Sequence, residues 1–142
     1  MDTTHFGDMA VLSALGGLLV VALLVWLLPT IFFILTLQKA LNRVAPERRT
    51  MNPPLVWLCL IPLVNAVWNF MVVLAVTKSL DAELTSRNIP HEAEPGKTLG
   101  LVWAGFFAAC LVPGVSVLAA LPALILWIIY WVKIAGLSAK LQ

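Results

Sequence analysis

Uncharged apolar runs, separated by short polar segments, dominate the pattern of the sequence. The three runs cover residues 9–38, 50–77 and 98–132, and none of them contains Asp, Glu, Lys, Arg or His. An α-helix rises 1.5 Å per residue, so about 20 apolar residues cross a hydrocarbon core about 30 Å thick. The first two runs therefore predict one transmembrane helix each, over residues 9–44 and 54–87 when their polar ends are included.

The third run is longer than one crossing requires, since a straight helix over residues 98–132 would be roughly 52 Å long. The Pro113-Gly114 dipeptide in its middle favours a hairpin of two helices, over residues 96–112 and 115–140, because Pro and Gly together end helices and open turns. The alternative is a single long helix kinked at Pro113. The sequence thus predicts an all-α integral membrane bundle, one domain over residues 1–142, with four transmembrane helices or, on the alternative, three.

Other prolines also lie inside the runs, at Pro29, Pro62 and Pro122. Proline is tolerated in transmembrane helices where neighbouring helices or side chains satisfy the carbonyl that it leaves free. Each of these three prolines is therefore expected to kink a helix rather than to end it.

The composition excludes a soluble domain. Hydrophobic residues make up 61% of the chain and charged residues 11%, compared with roughly 25% charged residues in typical soluble domains. The mean hydropathy is +0.98. The 9 basic and 7 acidic residues are crowded into the short polar segments, as a bilayer requires, because a charge at its centre is costly.

Basic residues give an orientation only if the number of crossings is known. Four crossings place four basic residues of the first connection opposite five others, whereas three crossings place six opposite three. In both cases the densest basic segment, residues 39–49, is predicted to face the cytoplasm. The side chains expected at the lipid headgroups are Lys39, Arg43, Arg48, Arg49, Trp127, Tyr130, Trp131 and Lys133.

The runs offer no ionisable group at membrane depth, which argues against proton relays, ion-coupled transporters and intramembrane metalloproteases. His5 and His91 lie in polar segments without other ligands at metal spacing, so both are interpreted as solvated. No nucleophile motif, phosphate-binding loop or nucleic-acid-binding stripe is present. The sequence therefore predicts no catalytic, cofactor or metal site, no enzyme, and no nucleic acid as partner.

The most pointed polar feature within the runs is a pair of asparagines on one helix face. Asn65 and Asn69 are four residues apart, with Trp68 beside them and Pro62 one turn earlier. Asparagine in hydrocarbon needs a hydrogen-bond partner, and such bonds between transmembrane helices average roughly 0.6 kcal/mol. The pair is interpreted as a helix-packing contact, or alternatively as part of a ligand or lipid pocket at the Pro62 kink.

Small residues recur at four-residue spacing in the predicted helices. Such faces let helix backbones approach closely, which is how helices associate where lipid is as apolar as the side chains. This pattern predicts tight packing within the chain or with a partner. The pairs are Ala10/Ala14, Ser13/Gly17, Ala104/Ala108, Gly105/Ala109, Ser116/Ala120 and Ala119/Ala123.

Three segments together resemble a family of small uncharacterised bacterial membrane proteins. They are residues 49–70 (RTMNPPLVWLCLIPLVNAVWNF), residues 79–87 and residues 127–136 (WIIYWVKIAG). The resemblance implies a compact multi-pass bundle in the bacterial cytoplasmic membrane. It brings no known activity, so no functional residue follows from it.

Three functional hypotheses follow. The first is a non-enzymatic accessory, assembly or scaffold subunit, with the lipid bilayer and other membrane proteins or copies of itself as partners. The second is a small channel or carrier for a neutral or lipidic solute, with Asn65, Asn69, Pro62 and Pro113 at its pathway. The third is a membrane regulator that binds anionic lipid through residues 39–49.

Overall fold

The computed structural model describes the backbone of residues 3–142 and the side chains of residues 7–142. The described residues form helices and no strand, which confirms the all-α class. Three of the helices are long and apolar enough to span a membrane, which indicates a membrane protein. The helices are α1 (Thr3–Arg43), α2 (Pro62–Ser86), α3 (Lys97–Ala109) and α4 (Ser116–Ala139), with 3-10 helices at Pro46–Arg48 and Pro53–Leu60.

The helix break predicted at Pro113-Gly114 is confirmed. Helix α3 ends at Ala109, α4 begins at Ser116, and the two helices pack against each other. Gly114 has a φ of +86°, a conformation that favours glycine, and the amides of Val115 and Ser116 donate to the carbonyl of Val112. The alternative of one long helix kinked at Pro113 is therefore wrong.

The second run does not form one helix over residues 54–87. Its first part, Pro53–Leu60, is a 3-10 helix, and α2 begins only at Pro62. Proline has no amide hydrogen and its ring clashes with the carbonyl four residues earlier, so it suits the first position of a helix. The expectation that Pro62 kinks a helix is wrong for this reason, whereas Pro29 and Pro122 do lie inside α1 and α4.

The chain divides into two compact units, Met1–Phe32 and Phe33–Gln142. We call the first the N-terminal helix segment, since it consists of the first part of α1, and the second the core unit. In the N-terminal helix segment every side chain of residues 7–26 is exposed. The core unit contains the last turns of α1 and all the other elements.

An aromatic cluster lies at the centre of the core unit. The ring of Phe33 meets four others at centroid distances between 5.5 and 6.2 Å, and Tyr130 stacks on Trp103 at 5.7 Å. Edge-to-face and offset aromatic pairs of this kind contribute about 0.5–1.5 kcal/mol beyond their buried area. The cluster ties α1, α3 and α4 together through Phe33, Trp103, Trp127, Tyr130 and Trp131.

Helix α3 fits between α2 and α4 because residue 100 is a glycine. A Cβ atom at Gly100 would lie 2.6 Å from Cγ1 of Val73 and 2.7 Å from Cε2 of Tyr130. Real carbon atoms do not approach so closely, so any side chain here would force the helices apart. Val73, Gly100 and Tyr130 therefore lie at one level of the core unit.

The last turns of α1, which belong to the core unit, run in the same direction as α2, because the chain between them folds back. The Thr50 amide donates to the hydroxyl of Ser79 at 3.0 Å, and Trp68 Nε1 donates to the carbonyl of Leu55 at 2.9 Å. Residues 50–60 thus run antiparallel to α2, and α2 then returns to the level where α1 ends. Helix α4 ends at the same level, since Arg43 contacts Ser138. We call this the charged end of the core unit.

Candidate functional site

The charged end is organised around one buried carboxylate, that of Glu83 near the end of α2. Its side chain is only 3% exposed. One carboxylate oxygen accepts hydrogen bonds from the amide of Ala45 at 3.1 Å and from Arg48 Nη1 at 2.9 Å. The other oxygen accepts from Arg87 Nε at 2.8 Å. Charge-assisted bonds of this kind offset the cost of burying a carboxylate, so Glu83 fastens the segment after α1 to the end of α2.

Two arginines extend this network to the end of α4. Arg43 Nη1 donates to the carbonyl of Ser138 at 2.6 Å and to its hydroxyl at 2.9 Å. Arg87 Nη1 donates to the carbonyl of Leu141 at 3.1 Å. The last carbonyls of a helix have no partner within it and carry a partial negative charge, so cations are favoured there. The arginines therefore join three helix C-termini that would otherwise repel one another.

Polar contacts within the loop between α2 and α3, and from the loop to α2 and α4, hold the loop in place. His91 Nε2 lies 3.1 Å from a carboxylate oxygen of Asp81, which also accepts from the Glu94 amide at 3.2 Å. The ammonium of Lys133, in α4, contacts the carboxylate of Glu92, which also accepts from the Gly96 amide. These two interactions hold the pKa of Glu92 below its usual range. His91 thus pairs with a carboxylate instead of being surrounded by solvent, as its interpretation from sequence supposed, while the side chain of His5 lies outside the described residues.

Tyr130 is the clearest departure from the residues predicted at the lipid headgroups. Its side chain is fully buried beside Gly100 and Trp103, so the prediction of a headgroup contact is wrong for this residue. Trp127 and Trp131 are half-buried, and Trp131 Nε1 donates to the hydroxyl of Thr36 at 2.9 Å. The aromatic residues near the end of the third run therefore pack inward, because α1 covers them.

The basic residues predicted at the lipid headgroups lie at the charged end, and they differ in whether their side chains are hydrogen-bonded. Lys39 is exposed, whereas the guanidinium groups of Arg43 and Arg48 are bonded to Ser138 and Glu83. Arg49 donates to the carbonyls of Val44 and Asn42. A headgroup contact stays a prediction for these four residues and for Lys133, Trp127 and Trp131.

Asn65 and Asn69 both lie in the interior of the core unit, 7% and 3% exposed. Trp68, between them in the sequence, is half-buried, and its Nε1 donates to the carbonyl of Leu55 in the 3-10 helix Pro53–Leu60. The Oδ1 atom of Asn65 is buried without a hydrogen-bond partner among the described residues. The asparagine pair therefore sits at a packed interface next to Pro62, the first residue of α2, and apart from the charged end.

Glu83, at the centre of the charged end, was not among the residues predicted from the sequence. A signal was present, since Glu83 and Arg87 are four residues apart and so face each other on a helix. The link to Arg48 could not be read, because it depends on the chain folding back after α1. Within the described side chains, no group of three or more His, Cys, Asp or Glu is arranged to hold a metal ion. The arrangement holds the helices together at the charged end, where the bonds above engage Glu83, Arg43, Arg48 and Arg87.

Comparisons with known proteins bring nothing to set beside this geometry. No protein-family model, no curated protein and no solved structure matches the chain.

Proposed function

We propose that the protein is a non-enzymatic membrane subunit whose N-terminal helix segment packs against a second transmembrane helix, from another protein or another copy of the chain. The observation that carries this proposal is the exposure of every side chain over residues 7–26. That stretch is about 30 Å long as a helix, which is the thickness of the hydrocarbon core.

One face of this segment suits a helix partner better than it suits lipid. Ala10, Ser13, Ala14 and Gly17 follow one another at helical spacing, and the Ser13 hydroxyl donates to the carbonyl of Ala10, within its own helix. Apart from its own chain neighbours and helix backbone, no described atom lies within 4 Å of where a Cβ of Gly17 would be. Small residues let a second backbone approach closely, which gains dispersion energy that disordered lipid chains provide less well.

In this proposal the charged end of the core unit lies at the cytoplasmic face of the membrane. All nine basic residues of the chain belong to segments that meet at the charged end: Lys39, Arg43, Arg48, Arg49, Lys78, Arg87, Lys97, Lys133 and Lys140. The positive-inside rule then assigns that end to the cytoplasm. A bacterial cytoplasmic membrane remains part of the proposal, on the strength of the family resemblance alone.

The far end of the core unit is suited to lipid rather than to water. Its two turns, near residues 60–63 and 110–115, contain no charged residue, and Leu63 is 91% exposed. At the second turn the amides of Leu111 and Val112 donate to the last carbonyls of α3, those of Ala108 and Ala109, and the amide of Val115 donates to the carbonyl of Val112. Because lipid offers no hydrogen bonds, backbone at membrane depth must be bonded within the protein, as these three amides are.

The apolar parts of α2 and α4 have a length that agrees with hairpins that enter and leave the membrane by the same face. From Pro62 to Lys78 is about 24 Å along α2, and from Ser116 to Lys133 about 26 Å along α4. Both are shorter than a hydrocarbon core of about 30 Å. We infer that α1 crosses the membrane once and that the two turns of the core unit end within the far leaflet.

The subunit hypothesis is tested by extracting the tagged protein from its native membrane in mild detergent and measuring its native mass. Ala10→Leu combined with Ala14→Leu should weaken the association at least about tenfold, roughly 1.4 kcal/mol, because leucine holds the backbones apart. Ala22→Leu, on a different face of the same helix, is the matched control and should leave the complex intact. A lone monomer from the unsubstituted chain would contradict the proposal.

A further inference from the structure

A groove runs along the outer face of α3, within the core unit. Near the charged end it opens into a cavity of about 420 Å³, lined among others by Glu92, Glu94, Lys97, Leu99, Val102 and Lys133. A second depression of about 240 Å³ follows toward the turn, lined by Val102, Gly105, Phe106 and Ala109. Val102 borders both, so the two depressions adjoin along α3, and we call them together the groove, with a charged mouth and an apolar lower part.

Two ion pairs line the mouth of the groove. Lys97 Nζ lies 2.7 Å from both carboxylate oxygens of Glu94, and Lys133 contacts Glu92. All four side chains are between 34% and 57% exposed, so they can exchange partners without a large cost of desolvation. The mouth therefore offers two cations and two carboxylates side by side, with no net charge.

The lower part of the groove exists because α3 carries a glycine there. Apart from its own chain neighbours and helix backbone, no described atom lies within 4 Å of where a Cβ of Gly105 would be, and both Val102 and Phe106 are exposed. Helix α3 is 13 residues long, about 20 Å. The α3 residues that line the groove extend from Lys97 to Ala109, about 18 Å along the helix, which is comparable with the roughly 15 Å of one leaflet of the hydrocarbon core.

We propose that this groove binds a glycerophospholipid with a zwitterionic, primary-ammonium headgroup, that is, a phosphatidylethanolamine. Lys97 and Lys133 bind its phosphate, Glu92 and Glu94 bind its ammonium, and one acyl chain lies over Val102 and Gly105. Charge complementarity selects this class, since an anionic headgroup meets two carboxylates that it cannot satisfy. A quaternary ammonium headgroup carries no N–H donor for those carboxylates, so phosphatidylcholine should bind more weakly.

The test uses the full-length protein, delipidated in detergent and offered phosphatidylethanolamine, phosphatidylcholine or phosphatidylglycerol with identical acyl chains. Native mass spectrometry counts the lipid retained at each concentration. The apparent Kd for phosphatidylethanolamine should be about tenfold lower than for phosphatidylglycerol, the difference expected from one charge-assisted hydrogen bond. Equal retention of the three lipids would overturn the proposal.

Two variants locate the site. Gly105→Leu fills the groove without a clash and should raise the Kd for phosphatidylethanolamine about tenfold, the scale of a blocked apolar contact. Gly136→Leu is the matched control, because a Cβ there also has open space beyond its own helix and Gly136 is not among the residues that line the groove. If Gly105→Leu binds as the unsubstituted protein does, the lipid is held elsewhere and the groove assignment is wrong.

The headgroup contact has its own readout, which does not depend on partner association. Glu92→Gln combined with Glu94→Gln leaves two lysines without carboxylates, so the preference should invert toward phosphatidylglycerol. Glu47→Gln changes an exposed carboxylate in the short 3-10 helix after α1 and should leave the preference unchanged. A double variant that keeps its helical circular dichroism and also keeps the original preference would refute the assignment of Glu92 and Glu94.

Discussion

Replacing Glu83 with alanine should lower the free energy of unfolding by about 2–3 kcal/mol, the largest effect expected of any polar residue in the chain. The substitution leaves the Ala45 amide without its acceptor and removes the anion between Arg48 and Arg87. Both arginines are more than a third exposed, so water recovers part of the loss and keeps the value below that of a fully buried pair. The measurement is denaturant-induced unfolding in detergent micelles, followed by tryptophan fluorescence.

Two further variants separate the charge of Glu83 from its packing. Glu83→Gln keeps an acceptor of the same shape and should lose less stability than Glu83→Ala. Glu47→Gln is the control, because its carboxylate is 69% exposed and lies 3.8 Å from Arg48, so it should change the stability little. Equal effects of Glu83→Ala and Glu47→Gln would show that the buried carboxylate does not fasten the charged end.

Gly100→Ala should destabilise the core unit by about 1–3 kcal/mol, the usual cost of forcing a methyl group into a packed interior. The new Cβ would lie 2.6 Å from the β-branched Val73 and 2.7 Å from the ring of Tyr130, and neither group can turn aside easily. In an ordinary helix the same change would stabilise, since alanine is the better helix former. Thermal unfolding of the purified protein measures the sign directly.

A second substitution, at Val73, tests whether close packing is the cause of the destabilisation. Val73→Ala removes one of the two obstructing groups, so the double variant Gly100→Ala with Val73→Ala should lose less stability than the sum of the single variants. Gly105→Ala, in the same helix but facing open space, should be neutral or mildly stabilising. Additive losses in the double variant, or a loss in Gly105→Ala as large as in Gly100→Ala, would contradict it.

The helices themselves could be predicted because apolar runs of this length have few alternatives. The Pro113-Gly114 break was predictable for a local reason, since two residues that disfavour helix stand together. The fold-back at residues 53–60 was not, because a 3-10 helix and a transmembrane α-helix have the same apolar composition. Pro62 suits both the interior of a kinked helix and the first turn of a new one, and only the chain before it decides between them.

The count of basic residues on each side of the membrane depends on the same fold-back. Counting basic residues by alternate connections assumes that each apolar run crosses the membrane once, which gave four against five or six against three. Residues 50–60 instead run antiparallel to α2. The segment before residue 50 and the end of α2 therefore meet, as the bond between Arg48 and Glu83 shows. Tyr130 was misplaced because its burial depends on the missing side chain of Gly100, a distant partner that one-dimensional spacing does not reveal.

The measurement that tests this account most directly is the labelling of single cysteines by a membrane-impermeant maleimide on vesicles of defined orientation. In a chain with Cys59→Ala and Cys110→Ala, we expect Glu47→Cys, Glu94→Cys and Lys140→Cys to react from the same side. Leu63→Cys and Leu111→Cys should react from neither side, because the two turns lie in lipid. Labelling of Glu94→Cys from the side opposite to Glu47→Cys, or labelling of Leu111→Cys from the far side, would contradict the single charged face on which the proposed orientation in the membrane rests.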